Sequence, residues 1–116
     1  MTAHRFLVFS EAQPGRDAEF NDWFDNHQLP DVLKVPGFIG GQRFRLQPEG
    51  DGVDGVTRYL TIYEIETNDL PATIADLHSR ANTPDMPLSD ALNLSTLKTY
   101  IADQLGDRIA ARPRAD

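Results

Sequence analysis

The apolar positions change period along the chain, and the changes mark out the elements. His4 to Ser10 is a short apolar and aromatic run centred on Phe6-Leu7-Val8-Phe9 and closed by Glu-Ala-Gln-Pro-Gly. That pattern predicts a strand followed by a loop. From Asp17 the period becomes helical. Phe20, Trp23, Phe24 and His27 recur at three- and four-residue spacing, and Asp17 and Glu19 lie in a first turn where the helix dipole favours acids. Pro30 is expected to end or kink this helix near Gln28, with Asp31 to Val35 making one more turn before Pro36-Gly37. Phe38 to Leu46 is the next strand. Gly40 and Gly41 weaken it and predict a bulge or a close backbone approach. Gln47 to Thr57 is a polar connection. Arg58 to Glu66 alternates best, with Tyr59, Thr61, Tyr63 and Ile65 on one face and Leu60, Ile62 and Glu64 on the other. Asn68 or Asp69 caps a second helix, with Pro71 in its first turn and Leu70, Ile74, Leu77 and Ala81 on one stripe. Thr83 to Asn93 is irregular. Leu94 to Ala102 alternates again, with a possible extension to Leu105, and residues 108–116 form a polar tail.

The order is βαββαβ in one domain spanning residues 1–116. Two strand–helix–strand crossovers around a hairpin predict an α+β, ferredoxin-like fold: four antiparallel strands with two helices on one face. The other face still carries apolar side chains. Burial against a second copy, giving a homodimeric α+β barrel, is the expected remedy.

Charge and composition narrow the function. Eighteen Asp/Glu against 11 Lys/Arg leave a formal charge of -7, the opposite of a nucleic-acid-binding surface and no help toward an anionic membrane. The Phe6–Phe9 run is too short for a membrane span or a signal-peptide core, so a cytoplasmic protein is expected. There is no cysteine, which removes disulfides, thiolate nucleophiles and Cys-based metal sites. Three scattered histidines make a poor zinc site. No Gly-rich phosphate loop joins a strand to a helix, and there is no Gly-x-Ser-x-Gly elbow. Neither metal nor cofactor is expected.

The stretch from Phe20 to Phe38 is more specific than the general pattern. Its Trp23, Phe24, His27, Pro30, Leu33, Pro36, Gly37 and Phe38, followed by Gln42-Arg43-Phe44 and the Tyr59–Glu64 strand, resemble EthD-like proteins of the dimeric α+β barrel superfamily. The resemblance implies the fold and dimerisation. It does not select a reaction, because that superfamily hosts isomerases, polyketide cyclases, cofactor-free monooxygenases, haem-degrading enzymes and proteins of unknown role. The 82–93 loop departs from the short helix–strand connection such proteins are expected to have, and is a candidate cap over a pocket.

The candidate chemistry centres on His27. With Phe20, Trp23 and Phe24 facing the sheet, His27 is expected to point inward as well. An imidazole there can move a proton either way; the other reading is a core histidine bonded to a backbone carbonyl. Tyr59 and Tyr63 share a strand face and are expected to line the same cavity, where a phenol can stabilise an enolate or return a proton, or simply pack as strand formers. Trp23 and Phe24 are expected to line the cavity as well. His4 shares the parity of Phe6 and Val8 and is placed at the cavity mouth or in solvent. His78 is off its helix's apolar stripe, at a rim or in solvent, although some cyclases and haem-degrading relatives use a histidine near the end of this helix. Arg43 and Arg45 share a face and suit a substrate carboxylate or a salt bridge with Glu64 or Asp103 at a dimer interface. The combined expectation is a cofactor-independent acid–base enzyme of the isomerase, cyclase or lyase type. Its substrate would be a small conjugated carbonyl or ring-cleavage compound. The alternatives are a cofactor-free or haem-dependent monooxygenase, or a non-catalytic small-molecule-binding dimer.

Overall fold

The computed structural model describes residues 2–50 and 54–113. The tip of the Gln47–Thr57 connection and the end of the 108–116 tail lie outside the described residues. Four strands, β1 (Thr2–Ala12), β2 (Phe38–Leu46), β3 (Arg58–Thr67) and β4 (Leu92–Asp103), form one sheet in the order β2-β3-β1-β4. Every neighbouring pair is antiparallel. This is the four-stranded ferredoxin-like arrangement expected from the alternation.

The helical segment after β1, which Pro30 was expected to end or kink near Gln28, is continuous but carries a π turn that closes at Gln28. It runs through α1 (Asp17–Trp23), a π turn (Phe24–Gln28) and α2 (Leu29–Val32), and the backbone stays in the right-handed helical region across both junctions. The Leu29 N–H bonds the Phe24 carbonyl five residues back. Proline in a helix lacks one donor and its ring crowds the carbonyl four residues earlier. The wider π turn just before Pro30 makes room for that ring. The second long helix, α3 (Leu70–Arg80), is capped by Asp69, whose Oδ1 accepts from the Ala72 N–H at 3.1 Å.

β1 and β3 set two different faces. Phe6, Val8 and Ser10 with Tyr59, Thr61, Tyr63 and Ile65 are buried beneath the helices. There Phe6, Tyr63 and Phe38 join Val32, Val35, Leu77 and Met86, and a second cluster gathers Phe20, Trp23, Phe24 and Tyr59. Gly41 lets the sheet approach the helices, since a Cβ there would lie 2.8 Å from Leu29 Cδ1 and 3.0 Å from the Tyr63 ring. The pairing of β2 with β3 shifts register between Phe38 and Gly40. The expected bulge and close approach are thus both present. On the opposite sheet face Leu7 pairs with Ile62 and Tyr100, and Phe9 and Phe44 with Leu60. No described element of the chain covers that face; Phe44 and Tyr100 are exposed.

Candidate functional site

Where the helices cross the sheet they leave a cavity of about 300 Å³. The sheet contributes Phe6, Val8, Tyr63, Leu97 and Thr99, and the first helical segment contributes Trp23, Phe24 and Gln28. Leu77 and His78 come from α3, and Met86 and Leu88 from the 82–93 loop. The Trp23 indole N–H donates to the Pro87 carbonyl at 3.1 Å and ties that loop to the helix. The loop is therefore a wall of the cavity. The volume is at the lower end for small-molecule sites, and a mainly apolar lining with a few polar groups is their usual form.

Two of the lining residues each carry a buried polar atom without a partner among the described residues: the Tyr63 hydroxyl and Gln28 Oε1. Each such orphan costs about 1–3 kcal/mol, and native proteins keep few of them without a reason. Burial pushes the Tyr63 hydroxyl well above its ordinary pKa of 10.0, against a smaller opposing influence of the Arg43 charge. Tyr63 is therefore a protonated hydrogen-bond donor at neutral pH, not a base.

The structure corrects the expected convergence of His27, Tyr59 and Tyr63. His27 is exposed. It lies in a separate polar groove with Asp31, Lys34, Arg80 and Asp85. The π turn is the reason. It adds a residue to the turn, so the inner-face position after Phe24 falls to Gln28 instead of His27. Sequence reasoning passed over Gln28, and its one signal was a proline two residues on in a helix that stays apolar-periodic to Val32.

Tyr59 is buried but does not line the cavity. Its hydroxyl donates to Asp17 Oδ2 at 2.7 Å and accepts from Asn21 Nδ2 at 3.3 Å. Burial first, then Asp17, raises its pKa. Arg43 is held by the same patch. Its Nη1 donates to Asp25 Oδ1 and its Nη2 to Asn21 Oδ1, both at 2.9 Å. The guanidinium lies 4.5 Å from the Phe24 ring centroid, stacked as a cation on an aromatic face. This network pins β2 and β3 to α1 and engages both Nη atoms of Arg43, while its Nε is buried without a partner among the described residues. Arg45 is exposed. His4 Nδ1 is 2.6 Å from Asp103 Oδ1, across the β1–β4 pairing. It lines a different surface depression from the cavity. His78 is exposed and lines the cavity, which makes it the histidine at the mouth. Of the expected site residues, the structure brings together Trp23, Phe24, Tyr63 and His78. Among the described residues no group of three His, Asp or Glu side chains is placed to hold a metal ion.

No family model matches the sequence, and a search of curated proteins finds no significant match. Solved structures do match. A variant of MhuD, crystallised with two manganese protoporphyrin IX per active site, is 19% identical with a TM-score of 0.57, covering 92% of this chain and 99% of that one. HapK from Hahella chejuensis is 15% identical with a TM-score of 0.52, covering 95% and 99%. An EthD family protein from Bacillus halodurans is 16% identical with a TM-score of 0.48, covering 88% and 99%. At these identities the likeness is one of architecture, and the chain is a ferredoxin-like α+β domain sharing its fold with MhuD and HapK.

Proposed function

We propose that the chain binds a small, mainly apolar conjugated carbonyl compound in the cavity between helices and sheet and moves a proton on it. The observation that carries this reading is the pairing of an apolar cavity, lined in part by Tyr63 with its buried, unpaired and protonated hydroxyl, with an imidazole, His78, at its mouth. In this scheme His78 takes a proton from carbon next to the carbonyl. The electron pair moves onto the carbonyl oxygen, which accepts a hydrogen bond from Tyr63. The imidazolium then returns the proton to another carbon of the conjugated system, which completes an isomerisation without a net change in atoms or electrons. The sequence-based assignment of the base to His27 passes to His78, because His27 is outside the cavity. The free sheet face supports a homodimer, in which a second copy covers Leu7, Phe9, Phe44 and Tyr100.

Deuterium exchange next to the carbonyl of 2-cyclohexenone in D₂O, followed by proton NMR, tests the scheme. The protein should accelerate exchange, and His78→Ala should lower the rate by about 10²-fold or more. Exchange no faster than buffer, or unchanged in His78→Ala, would reject it.

A second reading is favoured by His78 and by the porphyrin bound to the similarly folded MhuD. An imidazole at the mouth of an apolar cavity can serve as a haem axial ligand. The fit is poor on two counts: the cavity is about 300 Å³, and among the described residues no Lys or Arg lines it to meet the two carboxylates of a haem. A Soret shift on titration with haem, lost in His78→Ala, would favour this reading over proton transfer.

A further inference from the structure

We infer that the cavity is completed by a second copy of the chain, whose C-terminal segment, residues 104–113, lies along β4 and sets Leu105 and Ile109 over the mouth. The inference rests on the proposed homodimer and adds a contribution of each copy to the other's site. The mouth is built from apolar side chains left in water. Leu94 and Leu97 line the cavity from β4 yet are 60% and 40% exposed, and Ile101, opposite Phe6 in the β1–β4 pairing, is 38% exposed. β4 is also an outer strand of the sheet, so one row of its backbone N–H and C=O groups has no neighbouring strand among the described residues. A small molecule could cover the apolar rim but not that row. An extended chain segment carrying apolar side chains meets both needs.

Residues 104–113 are such a segment. They form no strand or helix, and Leu105 and Ile109 are 104% and 91% exposed. The charge also suits. Residues 104–116 carry three arginines against two aspartates, a net of +1, and the rest of the chain carries -8. The segment is therefore drawn to the acidic body of another copy, not repelled by it. It does not reach its own rim. His4 Nδ1 lies 2.6 Å from Asp103 Oδ1 and ties the end of β4 to β1. From Leu97 to Asp103 the extended strand covers about 20 Å. Beyond Asp103 no described residue pairs with the sheet.

The chain has no cysteine, so an introduced pair reads the contact without interference. Leu97→Cys combined with Ile109→Cys, oxidised and run on a non-reducing denaturing gel, should migrate at twice the chain mass. Peptide mass spectrometry should find position 97 joined to position 109 of the other copy. A 97–109 bond within one chain would overturn the inference in favour of the chain's own segment. Absence of any 97–109 bond, in a protein that sediments as a dimer, would also overturn it and leave the homodimer standing. A monomer in sedimentation would remove the homodimer and this inference together. Hydrogen–deuterium exchange gives a second measure with the rim intact. Leu105→Asp with Ile109→Asp should speed amide exchange across residues 94–101 by about fivefold or more, the loss of one net hydrogen bond. Unchanged exchange there would overturn the contact.

Discussion

Tyr63 carries two opposing effects at one atom. Its ring is a core piece, 6.1 Å from Phe6 and 5.7 Å from Phe38 between centroids, while its hydroxyl is buried and unpaired. Tyr63→Phe should therefore keep the packing and remove the orphan, raising stability in urea by about 1 kcal/mol while lowering exchange activity. A gain in stability with a loss of activity distinguishes a working hydroxyl from a packing one. The pH dependence has a definite sign. The folded-state pKa lies above the ordinary 10.0, so the unfolded chain releases this proton first. The contribution to stability is complete below about pH 10 and is lost as pH rises beyond it. Alkaline unfolding followed by circular dichroism should shift to higher pH in Tyr63→Phe; an unchanged midpoint would contradict the burial. Trp23, buried against Phe20 and Phe24, should cost about 3–5 kcal/mol as Trp23→Ala in urea unfolding.

Between elements, the site depends on how closely β2 lies against the π turn and α2. Gly41 is the contact point. Alanine there would place its Cβ against Leu29 Cδ1 and the Tyr63 ring. Leu29 ends in a rotatable methyl and can give way, but the ring is fixed by Phe6 and Phe38. Gly41→Ala should destabilise by about 1–3 kcal/mol, and displacement of the Tyr63 ring should appear as slower exchange on 2-cyclohexenone. A fully stable, fully active variant would show that the approach is looser than the structure has it. The expected bulge in this strand was legible because glycine pairs inside a strand have few other uses. The π turn was not. Periodicity places both His27 and Gln28 near the inner face, and only the hydrogen-bond pattern over Phe24–Leu29 decides between them.

The whole molecule is extended for its length. Its radius of gyration is 16.4 Å, against about 13 Å for a compact chain of this size. The apolar open sheet face and the C-terminal segment, where Leu105 and Ile109 stand fully or almost fully in solvent, both suit a second copy of the chain. Sedimentation equilibrium at micromolar concentration should return twice the chain mass, and Phe9→Lys, on the open face beside Tyr100, should reduce it to one. A wild-type monomer would leave those apolar side chains without a purpose and remove the barrel.

The sequence by itself determined the element order, the antiparallel α+β class and the two faces of β1 and β3, because alternation and helical spacing are local properties that one chain segment carries whole. It also placed Trp23 and Tyr63 in the interior, since large aromatics on a buried face have nowhere else to go. Which polar groups meet was decided only by tertiary structure. Tyr59 and Tyr63 share a face, yet the Tyr59 hydroxyl is drawn to Asp17 and Asn21 of α1 while the Tyr63 hydroxyl is buried without a partner among the described residues. Arg43 finds Asp25 across the strand–helix gap. Gln28 takes the inward place expected of His27 through one added residue in one helical turn. A hydrogen bond is settled within about 3 Å, and sequence spacing does not locate a side-chain atom that finely once a turn departs from the regular helix.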